Sequence, residues 1–513
     1  MVSSTEAHAL DPNWPRSWRA YVCWLACFFL MFNSWGLVNA YGTFSSYYVG
    51  ASMRLTDQLQ LNLIGSTQSF LVLAFSGPVG RLLDAGHSRK IVATGAFLVP
   101  FGMFMLSIAH PSGDAQASYI NIWSTQGLVV GLGMACYFVS SSQIAATWFP
   151  KRKGLAVGMV ACGASIAGVV YPTMIRFLVD ALGFNNAVRA VAGLVTLTSL
   201  FSLVFATPNP THAHHKPKSW SKLRTWFDTD ALRNKAFCWF TAAVAFLFLG
   251  FYPVFFNLEE WAAISGYSTR GGSHSPIKFA EQPSHVALQT FWLLTIMNGS
   301  STLGRLAMAL FCDRTGQLNM HIGAQLISAV FVLLFWSLAD STGAAIAFCV
   351  CFGIMSGAVI GLPPASIANI LDCTYNTPET RHHPHAKLGQ WTGLMYSVAA
   401  IPALIGPVIA GHLVSEYQTY ITVQMWSGVS LLCSAMCMII SRYYLPCVDG
   451  ERVGTKLARI LGRNTLLSDK GKKTDTGESD FEAFSQVTTR APSRQVSGER
   501  LRDADKVDFS PYG

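Results

Sequence analysis

Twelve apolar runs, each near the ~20 residues that a helix needs to cross a bilayer, dominate this chain of 513 residues. Six fall at about 18–44, 60–83, 90–110, 118–147, 154–180 and 187–207. After a polar stretch, six more fall at about 236–264, 286–311, 319–340, 343–371, 388–415 and 418–446. In lipid every backbone polar group must be satisfied within the protein, so runs this long and continuous predict helices. Several exceed the minimum length, which predicts tilted or partly irregular spans. The expected fold is an all-α membrane protein with twelve transmembrane helices in two pseudo-symmetric six-helix bundles.

The charge supply agrees. Only 12% of residues are charged, about half of what a soluble surface carries, and of the 63 charged residues 22 lie in the tail from Gly450 onward. The first twenty residues are polar, and the apolar run behind them is too long for a signal-peptide core, so the first span is expected to act as the insertion signal. Twelve cysteines lie mostly in or beside apolar runs, with no CxxC pair, and read as small packing residues. His212, His214 and His215, like His382, His383 and His385, have no Cys or carboxylate at ligand spacing, so no metal or other cofactor is expected. The net charge of +9 belongs to the membrane flanks, and no nucleic-acid partner is expected. No phosphate loop or nucleophile triad is present, which argues against a pump driven by ATP and against an enzyme.

The expected organisation is a cytoplasmic segment at 1–17, a bundle at 18–207, a cytoplasmic loop at 208–235, a second bundle at 236–446 and a disordered cytoplasmic tail at 447–513. Orientation follows from the basic residues beside the spans. With both termini inside, the cytoplasmic flanks hold Arg16, Arg19, Arg81, Arg89, Lys90, Lys151, Arg152, Lys153, Lys216, Lys218, Lys222, Arg224, Arg233, Lys235, Arg314, Arg381 and Lys387, against Arg54, Arg270 and Lys278 outside. In the tail, Lys456 to Arg463 reads either as a solvated basic run or as a contact with anionic lipid. The Arg494 to Ser497 stretch resembles a basic-directed phosphorylation site.

The halves echo each other. Gly80, Arg81, Asp84 and Gly86 at the end of the second run correspond loosely to Gly304, Arg305, Asp313 and Gly316 at the end of the eighth. Duplicated six-helix halves suit a transporter, because pseudo-symmetric bundles can rock about a central site. The block GPVGRLLDAGHSRK, Gly77 to Lys90, resembles the signature loop of the major facilitator superfamily, and the spacing of Asp84, Gly86 and Arg89 resembles its monocarboxylate-porter branch. Fungal members of that branch are similar at NAYGTFSSYY (Asn39 to Tyr48), at Ile64 to Asp84, at Thr147 to Pro172, at Asn298 to Gly316 and at Met395 to Gly411. The resemblance covers nearly all of residues 18–446 and implies a secondary active transporter.

Asp84 at a helix end can accept hydrogen bonds from the exposed N–H groups where a neighbouring helix starts. The resemblance makes that neighbour the eleventh helix and makes Gly80, Asp84, Gly86, Arg89, Asp313, Arg314 and Gly316 conformational gating residues. Ala85 stands where the family has a basic residue. Arg305 lies eight positions before Asp313, about 12 Å into the span, where an unpaired guanidinium is costly. Two readings stay open for it: anchor for a substrate carboxylate, which the resemblance implies, or partner of backbone carbonyls at the gate. Ser301 and the region of Asn39 stand where those porters carry an Asp and a Lys, which favours a larger, weakly acidic or neutral substrate. The candidate substrate-binding residues are Arg305, Ser301, Asn298, Asn39, Gln143 and Arg176, with Gln126 as a further polar group. Glu259 and Glu260 read first as a solvated helix end and second as a proton relay. Glycines in the fifth and tenth runs read as packing stripes, and Pro363 and Pro364 should interrupt the tenth.

The sequence thus predicts a carrier of a small organic substrate working by alternating access, with protons as one candidate for coupling. Export of a metabolite, such as a fungal secondary metabolite, is the main expectation. Proton-coupled uptake of a monocarboxylate or vitamin-like anion is the alternative. The plasma membrane is the expected site. Oligomeric state is not legible.

Overall fold

The computed structural model describes residues 15, 17–50, 58–109, 115–149, 153–210, 226, 229–266, 290–374 and 388–445. Two units divide the chain, Met1–Lys456 and Leu457–Gly513, and the second lies outside the described residues. So do Arg16, Arg54, Lys151, Arg152, Arg270, Lys278, the six loop histidines, most of the 208–235 loop and the 447–513 tail with both of its short motifs. The side chains of Asp313 and Arg314 are outside it as well.

Eleven helices among the described residues are long and apolar enough to cross a membrane. They are α1 (Trp18–Tyr48), α2 (Gln58–Asp84), α3 (Ser88–Leu106), α4 (Tyr119–Trp148), α5 (Leu155–Leu182), α6 (Phe184–Phe205), α7 (Lys235–Ile264), α9 (Gln317–Trp336), α10 (Thr342–Gly361), α11 (Leu388–Tyr417) and α12 (Ile421–Tyr444). The remaining expected span, α8 (Phe291–Thr315), forms as a helix of 25 residues. It is diluted by Asn298, Ser300, Ser301, Thr302 and Arg305. No strand occurs among the described residues. Below, the N-terminal face is the side on which α1 begins, and the distal face is the opposite side.

Exposed large apolar side chains are most numerous on α12 and also line α6, α9 and α11, among them Leu197, Leu334, Ile401 and Val429. The core lies between the helices. The most extensive contacts within the halves are α7 on α12 and α8 on α10, and those between the halves are α2 on α11 and α5 on α8.

Three irregularities shape the centre. First, α1 is broken into Trp18–Asn33, Trp35–Asn39 and Tyr41–Gly50, with joints at Ser34 (φ −98°, ψ −95°) and Ala40. A buried polar hub holds the first joint. Asn33 Nδ2 donates to Thr198 Oγ1 (2.8 Å), and Tyr171 Oη donates to Asn33 Oδ1 (2.8 Å). Ser34 Oγ also donates to the Met134 carbonyl (3.2 Å). Second, α4 carries a π-helical segment at Trp123–Val129, whose wider turn frees backbone carbonyls; Gln68 Nε2 of α2 donates to the Gln126 carbonyl (2.7 Å). Tyr48 Oη donates to the Gln126 side chain (2.6 Å), so this glutamine packs helices together. Third, α10 stops at Gly361 and a new helix begins at Pro363, the interruption expected from the two prolines.

Candidate functional site

Four of the polar residues singled out in the sequence converge on one stretch of α5. Asn39 Nδ2 donates to the Ala164 carbonyl (3.4 Å), and Ser165 Oγ donates to Ser301 Oγ (3.3 Å). Asn298 packs against Gly168, where a side chain would collide with it. Arg305 reaches across from α8 to the Ala161 carbonyl through an Nη1 donor. Asn298, Ser301 and Arg305 fall at spacings of three and four, so one helix face delivers all three to α5.

Arg305 bonds to a backbone carbonyl in this conformation. The residue is 7% exposed. Its electrostatic neighbours are the Cys162 thiol and the Tyr252 phenol. Two buried atoms here have no hydrogen-bond partner, Arg305 Nε and Asn298 Oδ1. Buried polar atoms are nearly always satisfied, so these two mark a place where a ligand group or a second conformation completes the bonding.

Beside Arg305 stands an aromatic cluster that the sequence reading did not single out. Trp35 of α1 stacks on Tyr252 of α7, with centroids 5.5 Å apart and planes 5° from parallel. Phe248, one turn below Tyr252 on α7, also stacks on Trp35 (6.1 Å, 23°). Phe138 of α4 meets Trp35 edge-on (5.4 Å, 89°). Tyr396 of α11 meets Phe138 (5.2 Å, 67°). These rings come from α1 and α4 of the first half and α7 and α11 of the second. The local reason is the broken α1. Gly36 lets the short central segment lie so close to α5 that a Cβ would strike Ala167, and Trp35 is thereby turned toward α7. Only the apolar pattern of α7 hinted at such a wall, because the ring contacts join residues more than a hundred positions apart.

The seam between the halves is clasped on both faces. At the N-terminal face, Ser397 Oγ donates to the Ala74 carbonyl (3.1 Å). Gly77 meets Gly393 so closely that a Cβ on Gly393 would lie 2.8 Å from the Gly77 Cα. The close glycine approach in the signature block therefore belongs to Gly77, while Gly80 faces the Gln143 amide. The Asp84 carboxylate lies 3.6 Å from where a Gly389 Cβ would be, beside the first turn of α11, and Arg81 lies 3.6 Å from Asp84. Gly86 and Gly316 share a left-handed backbone (φ 91° and 83°), so the echo between the two halves is a shared helix-ending turn.

At the distal face, Asn62 Nδ2 donates to the Pro407 carbonyl (2.9 Å) and Gln58 Nε2 to Asn257 Oδ1 (3.2 Å). Thr43 Oγ1 donates to Glu259 Oε1 (2.6 Å). α1 packs on α7 through Tyr41–Gly50 and touches it at Trp35, whereas Trp18–Asn33 packs on α4, α5 and α6 of its own half. The main contact of the two helices therefore lies toward the distal face.

Several expectations are corrected. Gln143, a candidate substrate-binding residue, lies near the N-terminal end of the seam, its amide 3.1 Å from where a Gly389 Cβ would be. Arg176 is paired with Asp180 (3.9 Å), fifteen residues and about 22 Å of helix from Ala161. Arg89 is exposed. Glu259 and Glu260 are only 2% and 7% exposed, so they are no solvated helix end; they lie within the distal seal.

A model of the Major Facilitator Superfamily matches residues 23–374. An MFS-type transporter of Gibberella zeae is 29% identical over 84% of this chain and 89% of its own length. An aspyridones efflux protein of Emericella nidulans is 27% identical over 81% of this chain and 76% of its own. An agnestins efflux protein of Paecilomyces divaricatus is 24% identical over 86% and 91%. Among solved structures, a nucleoside transporter superposes with a TM-score of 0.57 at 14% identity, covering 82% of this chain and 99% of that one. A bacterial homologue of human drug peptide transporters gives 0.56 at 13% identity, covering 83% and 98%. These two likenesses concern the fold alone.

Proposed function

The chain belongs to the major facilitator superfamily, and from that membership we propose that it is a secondary active transporter exporting a small organic metabolite by alternating access. The bundles at 18–207 and 236–446 are its two moving bodies, and the aromatic cluster with Arg305 is where the substrate rests between them. The observation that carries this reading is the seam itself. It has a mid-depth site built from both halves, a seal at the distal face, and helices α1 and α7 whose main contact lies toward that same face.

With the termini in the cytoplasm, as the basic flanks favour, substrate enters from the face away from that contact, the inside. The aspyridones and agnestins efflux relatives support the same direction and a fungal secondary metabolite as cargo. Asp84, Gly86 and their second-half counterparts Asp313, Arg314 and Gly316 then act as N-terminal-face gating residues. The plasma membrane is the proposed site, and the monocarboxylate-porter branch the proposed subfamily. Metabolite profiling of a deletion strain, its parent and a complemented strain tests the reading. Export predicts a compound that rises in the deletion cells and falls in the medium; a compound left in the medium while its cellular pool falls contradicts it.

One observation favours a second reading, proton-coupled uptake of an organic anion. Arg305 is buried with an unclaimed Nε donor, and a guanidinium is suited to bidentate carboxylate binding. In that case Glu259 and Glu260, sealed at the distal face, are the carboxylates placed to carry protons. Uptake that survives collapse of the proton gradient removes this alternative.

A further inference from the structure

The aromatic cluster carries two phenol groups, that of Tyr252, which faces the Arg305 guanidinium, and that of Tyr396, its electrostatic neighbour. The rings carrying them are 1% and 4% exposed. A seam that only needed to interlock two apolar walls would be served by phenylalanine at both positions, so the two hydroxyls are polar groups that the ring packing does not require. We propose that this site takes a flat, conjugated ring system bearing oxygen acceptors on its rim, such as a hydroxylated quinone-type or polyphenolic molecule, in preference to an aliphatic one of similar length.

The geometry supplies the reason. Trp35 and Tyr252 belong to opposite halves, and their planes are already within 5° of parallel. When the halves part by one ring thickness, a flat guest enters between them without either wall turning. Offset stacking on Trp35 and Tyr252 and edge-on contact with Phe138 are the preferred modes for ring pairs. The rim oxygens of such a guest accept from Tyr252, Tyr396 and the free Arg305 Nε. An aliphatic chain fills the same space but meets the ring faces without stacking on them.

This inference rests on the export reading only for the location of the site, because binding has no direction. The test is equilibrium dialysis of 1,8-dihydroxyanthraquinone against the full chain in lipid nanodiscs, with 1,10-decanediol as competitor. Saturable binding is expected, weakened about ten-fold by Trp35→Leu and less than about three-fold by Trp35→Phe, which keeps a stacking face. The isosteric Tyr252→Phe and Tyr396→Phe variants keep the packing and are expected to lose several-fold each, so the test stands even where Trp35→Leu does not fold. Absence of saturable binding, displacement by the diol at equal concentration, or full affinity in both phenylalanine variants overturns the inference. Any of these leaves the profiling result untouched. Equally, an unchanged deletion strain overturns export and leaves the binding result standing.

Discussion

Arg305 carries the sharpest prediction at the scale of single residues. Its guanidinium is buried, bonded to a carbonyl of the opposite half and left with a free Nε. Burying such a group without an acidic partner costs several kcal/mol, so its presence here points to function. Arg305→Ala is expected to cut transport of the cargo found by profiling at least about ten-fold, while the thermal midpoint of the purified protein stays level or rises. Arg305→Lys should not restore transport, because an ammonium lacks the planar fork. Normal transport by the alanine variant, or its collapse on purification, sinks the assignment. The sequence located this residue by its depth in the span alone. It did not foresee the partner, since Ala161 contributes only a backbone carbonyl and no side chain that a pattern could register.

Within the elements, the broken α1 decides where Trp35 sits. Its joint at Ser34 is held by Asn33, Thr198 and Tyr171 and by the tight contact of Gly36 with Ala167. Asn33→Leu leaves the Tyr171 and Thr198 hydroxyls short of a partner and should destabilise the protein by roughly 1–3 kcal/mol. Thermal unfolding in detergent reads this out, and a midpoint equal to the wild type refutes the hub. Gly36→Ala should likewise destabilise, and adding Ala167→Gly should recover most of the loss, the non-additivity expected of two groups in contact. Loss that is merely additive contradicts the joint as drawn. Apolar runs made the helices legible to within a few residues, and Pro363 with Pro364 announced the break in α10. The joints of α1 and the π segment of α4 left no such mark, because each is stabilised by residues on other helices.

At the scale of the whole molecule, two sets of contacts lie along one seam, and only the distal set joins α1 to α7. The N-terminal clasp joins α2 to α11 from Ala74 to Asp84, and the distal clasp joins α1, α2, α7 and α11 through Thr43, Gln58, Asn62, Asn257 and Pro407. Membership of the fold and its eleven candidate spans among the described residues could be read from the apolar runs and the signature block. The site could be read only in part, because Trp35, Phe138, Tyr252 and Tyr396 look like ordinary core residues until folding brings four helices together. The polar residues that seemed to offer hydrogen bonds to a ligand proved mostly to be committed to α5, where helix-to-helix contacts use them.

The central claim is that this seam opens alternately on its two faces, and paired spin-label distances in lipid test it most directly. Labels at Arg89 and Tyr443 report the N-terminal face, and labels at Leu182 and Tyr417 the distal face, all at exposed positions. Each pair is predicted to show two distances, and Asp84→Asn, which weakens the N-terminal clasp, should lengthen the first pair while shortening the second. A single unchanged distance on each face, in the wild type and in the variant alike, would contradict the account.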